Sequence, residues 1–311
     1  MKPLTKAIED YLALRRSLGF KLRSAGVALM NFAAFMEQHQ ARSITTRLAL
    51  AWAQQPLDAQ PALWAQRLSF VRGFARHHVA TDPLSEVPPP GLLPYRPARA
   101  RPYLYSQDEV RRLLAQALQL PGGAPGLRPW TYHALLGLLS VTGLRVGEAL
   151  RLRLEDVDLD ADVLTVRGTK FGKSRLVPIH ASTRDVLAHY RTRRAEHLHG
   201  REAVSFFVTR TGHALDGGDV RRTFYALSRQ VGLRGQDEGH GPRLHDFRHR
   251  FAVETLIAWY RADEDAERRL PVLSTYLGHV HVEDTYWYLS AHPQLMALAM
   301  ARVERRWEQR S

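Results

Sequence analysis

The chain has 311 residues, 45% of them apolar, which is enough for two domains with separate buried cores. It has no cysteine, which excludes disulfides, thiolate metal sites and cysteine nucleophiles, and it has no apolar run of about 18 residues to cross a membrane. Its net charge of +13 favours a polyanionic partner, nucleic acid ahead of an anionic membrane surface.

Charges recur throughout Met1–Arg16, which therefore does not read as a secretory signal, and the expected location is the cytoplasm, in association with the nucleoid. Residues 1 to about 80 read as four helices. The first ends at Gly19, and the second starts at a Ser24 cap with Val27, Met30 and Ala34 on one face. Two more follow around Trp52 and over Pro61–Val79. The stretch Asp82–Pro102 holds too many prolines for helix or sheet and reads as a stiff connector, with Arg99 and Arg101 placed to lie along phosphates. The expected division is thus 1–82, 83–102 and 103–311.

Beyond the connector, "SQDE" is a capping box that opens a helix near 107–118. Trp130–Gly143 is apolar on nearly all faces, hence a buried helix. Asp162–Ile179 reads as strand, turn and strand, and Val204–Thr209 as a short strand. Helices are predicted near 182–197, 219–231 and 245–260, followed by an acidic stretch and then a terminal amphipathic helix from Pro293. In that last helix Leu295, Leu298, Ala299 and Arg302 share a stripe, beside Met296 and Met300, that docks either on its own domain or on a neighbouring copy. The expected fold is mostly α with a small β-sheet.

Four groups carry candidate chemistry: Arg145 in "TGLRVGEALRL", Lys170 in "RGTKFGKSRLVP", His245 and Arg248 in "LHDFRHRFA", and His279 with Tyr288 in "YLGHVHVEDTYWYLS". Each also has a plain structural reading. Arg145 could pair with Glu148, Lys170 could cap a solvated turn, His279 could cap a helix, and Tyr288 could simply pack. Together they suit phosphoryl transfer. Two arginines can clamp a phosphodiester and stabilise charge on its equatorial oxygens. Two histidines can donate to those oxygens or move the proton of the nucleophile. A tyrosine hydroxyl, with an ordinary pKa of about 10, needs such help before it attacks phosphorus. Only five of the 44 basic residues are lysines, and after Lys21 only Lys170 and Lys173 remain. Lysine can give up a proton where arginine cannot, which suits Lys170 to protonate a leaving oxygen.

In this combination and order the motifs resemble the tyrosine recombinase (phage integrase) family, including the nine residues from His279 to Tyr288 and Thr285 three before the tyrosine. The resemblance implies a helical core-binding domain and an α/β catalytic domain that form a C-shaped clamp on DNA, with a C-terminal helix exchanged between protomers. It implies Arg145 and Arg248 as the phosphate clamp, His245 and His279 as assistants, Lys170 as general acid, Tyr288 as nucleophile and Glu148 behind them. Lys173 and Arg175 on the hairpin are further candidate DNA contacts. The expected partners are double-stranded DNA with inverted-repeat core sites and a homo-tetramer on synapsed DNA, or a mixed assembly with related recombinases. No cofactor or metal is expected. The long acidic stretch over residues 258–274 suggests a transposon-encoded subgroup. Two rival readings are a non-catalytic DNA-binding protein of the same fold, and a metal hydrolase using the H-D-x-x-H pair His245 and His249.

Overall fold

A computed structural model describes residues 4–95, 102–122, 126–168, 174–236, 241–279, 281, 284–286, 288 and 293–308. The chain divides into two units, Met1–Ala100 and Arg101–Ser311.

In the first unit, α1 (Leu4–Ser17), α2 (Arg23–Gln38), α3 (Thr46–Ala53) and α4 (Pro61–His78) enclose Ile8, Leu29, Phe32, Trp52 and Phe74. Thr45 caps α3 by accepting the Leu48 N–H, and Pro61 opens α4 where its missing donor costs nothing. The indole of Trp52 meets Phe32 edge-on, while Arg67 lies over it and donates to the Trp52 carbonyl. One expectation is corrected here. Leu22, in a left-handed conformation, precedes α2, so Ser24 is inside the helix rather than its cap. Val27, Met30 and Ala34 face solvent, while Ala25, Leu29, Phe32, Ala33 and Met36 line the core. The first part of the proline-rich stretch is also not a free connector. Ser85 and Glu86 accept the Ile44 and Thr46 N–H groups, and Arg72 donates to the Pro88 and Pro89 carbonyls. Backbone N–H groups and the Arg72 guanidinium thus tie it down, and Leu93 further on packs on the core.

The second unit begins with α5 (Gln107–Ala117), where Ser106 and Glu109 complete the expected capping box. Its centre is α6 (Leu127–Thr142), whose Leu135, Leu136, Leu138 and Leu139 are all fully buried. Around it pack α5, α8 (Ala181–Leu198) and α10 (Asp246–Arg261), with the short α7 (Val146–Ala149) at its C-terminal end. The strands β1 (Val157–Asp158), β2 (Val163–Val166) and β3 (Arg175–Pro178) form an antiparallel sheet in the order β1-β2-β3. Its register sets Leu164 opposite Val177 and Val166 opposite Arg175. Leu164, Val166 and Val177 point into the core, as a period of two requires. The expected strand at Val204–Thr209 reduces to isolated bridges, Arg153 with Ser205 and Val208 with Ala214. Phe206 and Phe207 are both buried, so that segment lacks the alternation of a half-exposed strand.

α9 (Gly217–Gln230) packs on α5, and α11 (Ala266–Leu277) and α12 (Pro293–Glu308) pack on α10. In the single chain α12 buries Leu295 against α10. Arg302 reaches the Glu264 carbonyl and lies over Tyr260, while Met296, Met300, Val303 and Trp307 face outward. Among the described residues no helix is long and apolar enough to cross a membrane.

Candidate active site

α6 ends at Gly143, whose φ of 60° is open to glycine and costly for other residues. The chain then turns through Leu144 and enters α7 with Arg145 at its N-cap. Glu148, three residues on, is buried and serves two arginines. Its Oε1 accepts from Arg145 Nη1 at 2.9 Å and Arg175 Nη1 at 3.2 Å. Its Oε2 accepts from the Arg145 backbone N–H at 3.0 Å and from Arg175 Nη2 at 2.8 Å. Burial alone would push this carboxyl up, but the hydrogen bonds and charge of Arg175, then Arg145, bring it down to about 2.

The last carbonyls of α11 gather the arginines. Any helix leaves its final carbonyls without intrahelical donors, at the negative end of its dipole. Here Ser274 and Thr275 accept the backbone N–H groups of His279 and Gly278 as the chain turns through a left-handed Gly278. The next three carbonyls each take a guanidinium from a different element. Arg175 of β3 donates to Tyr276 O at 2.7 Å, Arg248 of α10 to Leu277 O at 2.7 Å, and Arg145 to Gly278 O at 3.1 Å. Arg248 also donates to Gly143 O at 2.9 Å, which joins the turn after α6 to the turn after α11. Burial, then repulsion from Arg145, lowers the Arg248 pKa to about 10, so it remains charged at neutral pH.

The nitrogen Nδ1 of His279 lies 2.8 Å from Thr285 Oγ1, a bond that commits this nitrogen and leaves Nε2 for other partners. Burial first, and Arg248 and Arg145 next, push its pKa to about 4, so the ring is neutral at pH 7. Tyr288 is 3% exposed and stacks on His279 with ring centroids 6.1 Å apart. On its other contact it meets His249 at 5.5 Å, and His249 in turn meets His245 edge-on at 4.8 Å. Protein crowded around His245, and then the Arg248 charge, lower its pKa as well. Tyr286 is 51% exposed. Of these two tyrosines, Tyr288 is the one held among the histidines.

Arg145, Arg248, His279 and Tyr288 therefore gather at the Tyr276–His279 turn, with Glu148 held by the arginines and His245 adjoining through His249. Lys170, Lys173, Arg99 and Arg101 lie outside the described residues. Arg175, expected as a DNA contact, instead has all three guanidinium nitrogens on Glu148 and Tyr276 O. His249 was read from sequence only as the second histidine of the metal-hydrolase pair, whereas its ring lies between those of Tyr288 and His245. As for the metal-hydrolase rival, Asp246 is buried and held by the backbone and guanidinium of Arg243. No group of three or more histidine, aspartate or glutamate side chains is placed to hold a metal among the described residues.

Arginines, histidines and a buried tyrosine on a helical domain with a small antiparallel sheet are the constellation that the sequence motifs led us to expect of a tyrosine recombinase. The sequence pattern of the phage integrase family matches residues 104–294, and the chain belongs to that family. It is 58% identical to y4rB, an inferred integrase/recombinase of Sinorhizobium fredii, over the full length of both chains. It is 34% identical to the tyrosine recombinase XerD of Pseudomonas putida over 77% of this chain and 74% of that protein. Among solved structures, the Tn1549 transposon integrase in complex with transposon right end DNA shares the fold with a TM-score of 0.66 at 15% identity. That match covers 98% of this chain and 99% of the solved chain, which is residues 82–397 of that integrase. The XerH site-specific recombinase bound to palindromic difH also has a TM-score of 0.66, at 17% identity, over 96% of this chain and 85% of that one.

Proposed function

We propose that the chain is a site-specific DNA recombinase that cuts and rejoins strands through a 3′-phosphotyrosine, in the integration, excision or transposition of mobile DNA in the cytoplasm. The observation that carries this is the burial of Tyr288 between histidines, beside arginines fixed on the Tyr276–His279 turn. Arg145 and Arg248 hold the scissile phosphate and stabilise charge on its oxygens as the tyrosine oxygen attacks phosphorus. His245 and the neutral His279 assist at those oxygens or take the hydroxyl proton. The bond to the 5′-oxygen breaks, and that oxygen leaves as a hydroxyl with a proton from Lys170. Attack by a partner strand's 5′-hydroxyl reverses the steps, and the ester stores the bond energy, so neither ATP nor metal enters the balance.

The structural relatives point to partners of the same kind: lambda integrase has been solved as a dimer on a core site and as a tetramer on a Holliday junction. For this chain we propose that both units grip a duplex core site, and that four copies assemble on two sites joined in synapsis. Exchange of α12 between copies would then replace its docking on its own α10. A nicked duplex built on the inverted repeats nearest the gene should trap a covalent adduct in the presence of EDTA. Tyr288→Phe should abolish the adduct and spare binding, whereas Tyr286→Phe should keep it. Cleavage that requires a divalent metal would overturn the reading, and binding without any adduct would make the chain a DNA-binding accessory protein instead.

A further inference from the structure

We infer that Arg175 is a positioning residue for strand cleavage: it shares the Glu148 carboxylate with Arg145 and fixes the Arg145 guanidinium against the Tyr276–His279 turn. The inference rests on the recombinase reading above.

A basic residue at the base of a hairpin in a DNA-binding protein invites a phosphate contact. The side chain of Arg175 is 11% exposed, however, and each of its guanidinium nitrogens already has an acceptor within the chain. A phosphate would have to displace a fork-to-fork pair with a carboxylate, one of the stronger charge-assisted arrangements available. The guanidinium also lies directly over Gly278, where a Cβ would come within 2.8 Å of Nη1 and 3.1 Å of Cζ. The bare backbone of Gly278 is what lets the side chain pass.

The position of Glu148 explains what Arg175 does. A buried carboxylate facing one arginine would form a closed pair with it, and the guanidinium of Arg145 would be consumed by Glu148. With two arginines the carboxylate is divided between them. Arg145 then gives Nη1 to Glu148 and Nη2 to Gly278 O, and remains 35% exposed. Charge is left over as well. Arg145, Arg175 and Arg248 against the one carboxylate of Glu148 make three positive charges and one negative, a surplus of two at the place where a phosphate would sit. Arg175 has a second tie, since it opens β3, five residues after Lys170, and its bond to Tyr276 O fastens the return strand of that hairpin to α11. One side chain thus links the general-acid hairpin, the phosphate arginine and the turn before His279.

The experiment measures adduct formation by the full chain on the nicked duplex at saturating protein, alongside single-site binding, its salt slope and the melting temperature. For Arg175→Gln the saturating rate should fall about 100-fold, the size of effect that small misplacement in a site produces. Half-saturation and the salt slope should stay within about twofold of the parent, because no phosphate contact is lost. Arg175→Lys keeps the charge without the fork and should give an intermediate rate. The double variant Glu148→Gln/Arg175→Gln should be no slower than the slower single variant, since Arg175 acts through Glu148. A purely structural role would instead lower binding, melting temperature and rate together. A parental saturating rate in Arg175→Gln, or additive slowing in the double variant, overturns the inference. So does a salt slope reduced by about one with an unchanged rate, the signature of a phosphate contact. If Arg175→Gln does not fold, Arg175→Lys carries the comparison, and a parental rate there is equally fatal. Absence of an adduct in the parent itself removes the recombinase reading and this inference with it, whereas a competent parent with unaffected variants removes this inference alone.

Discussion

Replacing Gly143 with alanine tests whether the turn after α6 holds its place through backbone conformation alone or through close packing too. At φ 60° an L-residue costs about 1–2 kcal/mol relative to glycine. The added methyl would sit 2.7 Å from Phe251 Cδ1 and 3.2 Å from Leu277 Cδ2. Phe251 has little freedom to retreat, because its ring stacks on Tyr276 with centroids 5.4 Å apart. Overpacking of this kind adds about 1–3 kcal/mol, for a total of about 2–5. Gly232 supplies the control, with φ +74° and nothing within 4 Å of a built Cβ, so Gly232→Ala carries the backbone cost alone. In a unit of this size each kcal/mol moves the melting temperature by about 2–4 °C. Thermal unfolding should therefore place Gly143→Ala at least about 2 °C below Gly232→Ala, the smallest packing cost at the smallest slope. Gly143→Ala should also cleave more slowly, because the Gly143 carbonyl holds Arg248. Equal melting temperatures for the two variants would refute the packing argument and show that Phe251 yields freely.

Ser106→Ala removes the oxygen that accepts the Glu109 N–H at 3.1 Å and should cost about 1 kcal/mol, read as a shift of the denaturation midpoint without a change in slope. Acid should weaken the fold through His279. His279 has a pKa of about 4 when folded and 6.5 as its ordinary value, so the unfolded chain takes up a proton first as pH falls. The loss starts near the ordinary value, grows as pH falls toward about 4 and then levels off, with His245 adding in the same direction. Glu148 acts at lower pH: its stabilisation is complete above 4.5 and disappears as pH falls toward about 2. Urea midpoints at pH 7.5 and pH 5 should differ in the parent and differ less in His279→Asn; an identical pH dependence in both would remove His279 as the cause.

Spacing along the chain carried the arginines, histidines and tyrosine of the site, because those motifs are short and each lies on a single element or turn. Glu148 was legible for the same reason, three residues from Arg145. The partners of Arg175 were not legible, because sequence gives the charge of a side chain and not its acceptors. Those acceptors are a carboxylate 27 positions away and a carbonyl 101 positions away. The buried helix at 130–143, the capping box and the hairpin followed from pattern, since each is a local property of composition and period. The orientation of α2 did not. "AGVALMNFAAFM" is apolar nearly all round, so its period suits either stripe, and only packing by α1, α3 and α4 selects Leu29, Phe32 and Met36.

The choice of basic residue follows the same physics across the site. A lysine at position 248 would start from about 10.4, and a depression like the one Arg248 undergoes would bring it close to physiological pH. Arginine under that depression stays near 10 and keeps its charge. It also has the fork to reach Gly143 O and Leu277 O at once, two carbonyls from separate segments that a point charge on a flexible stem could not hold together. The carbonyls matter because three like-charged groups are gathered around one carboxylate. At the end of α11 the helix dipole and the unpaired oxygens supply negative potential without adding an anion that would neutralise the site. The arginines are thereby held close together while their net charge is preserved, so on the proposed recombinase reading a phosphodiester would meet a socket already shaped and still two charges short of balance.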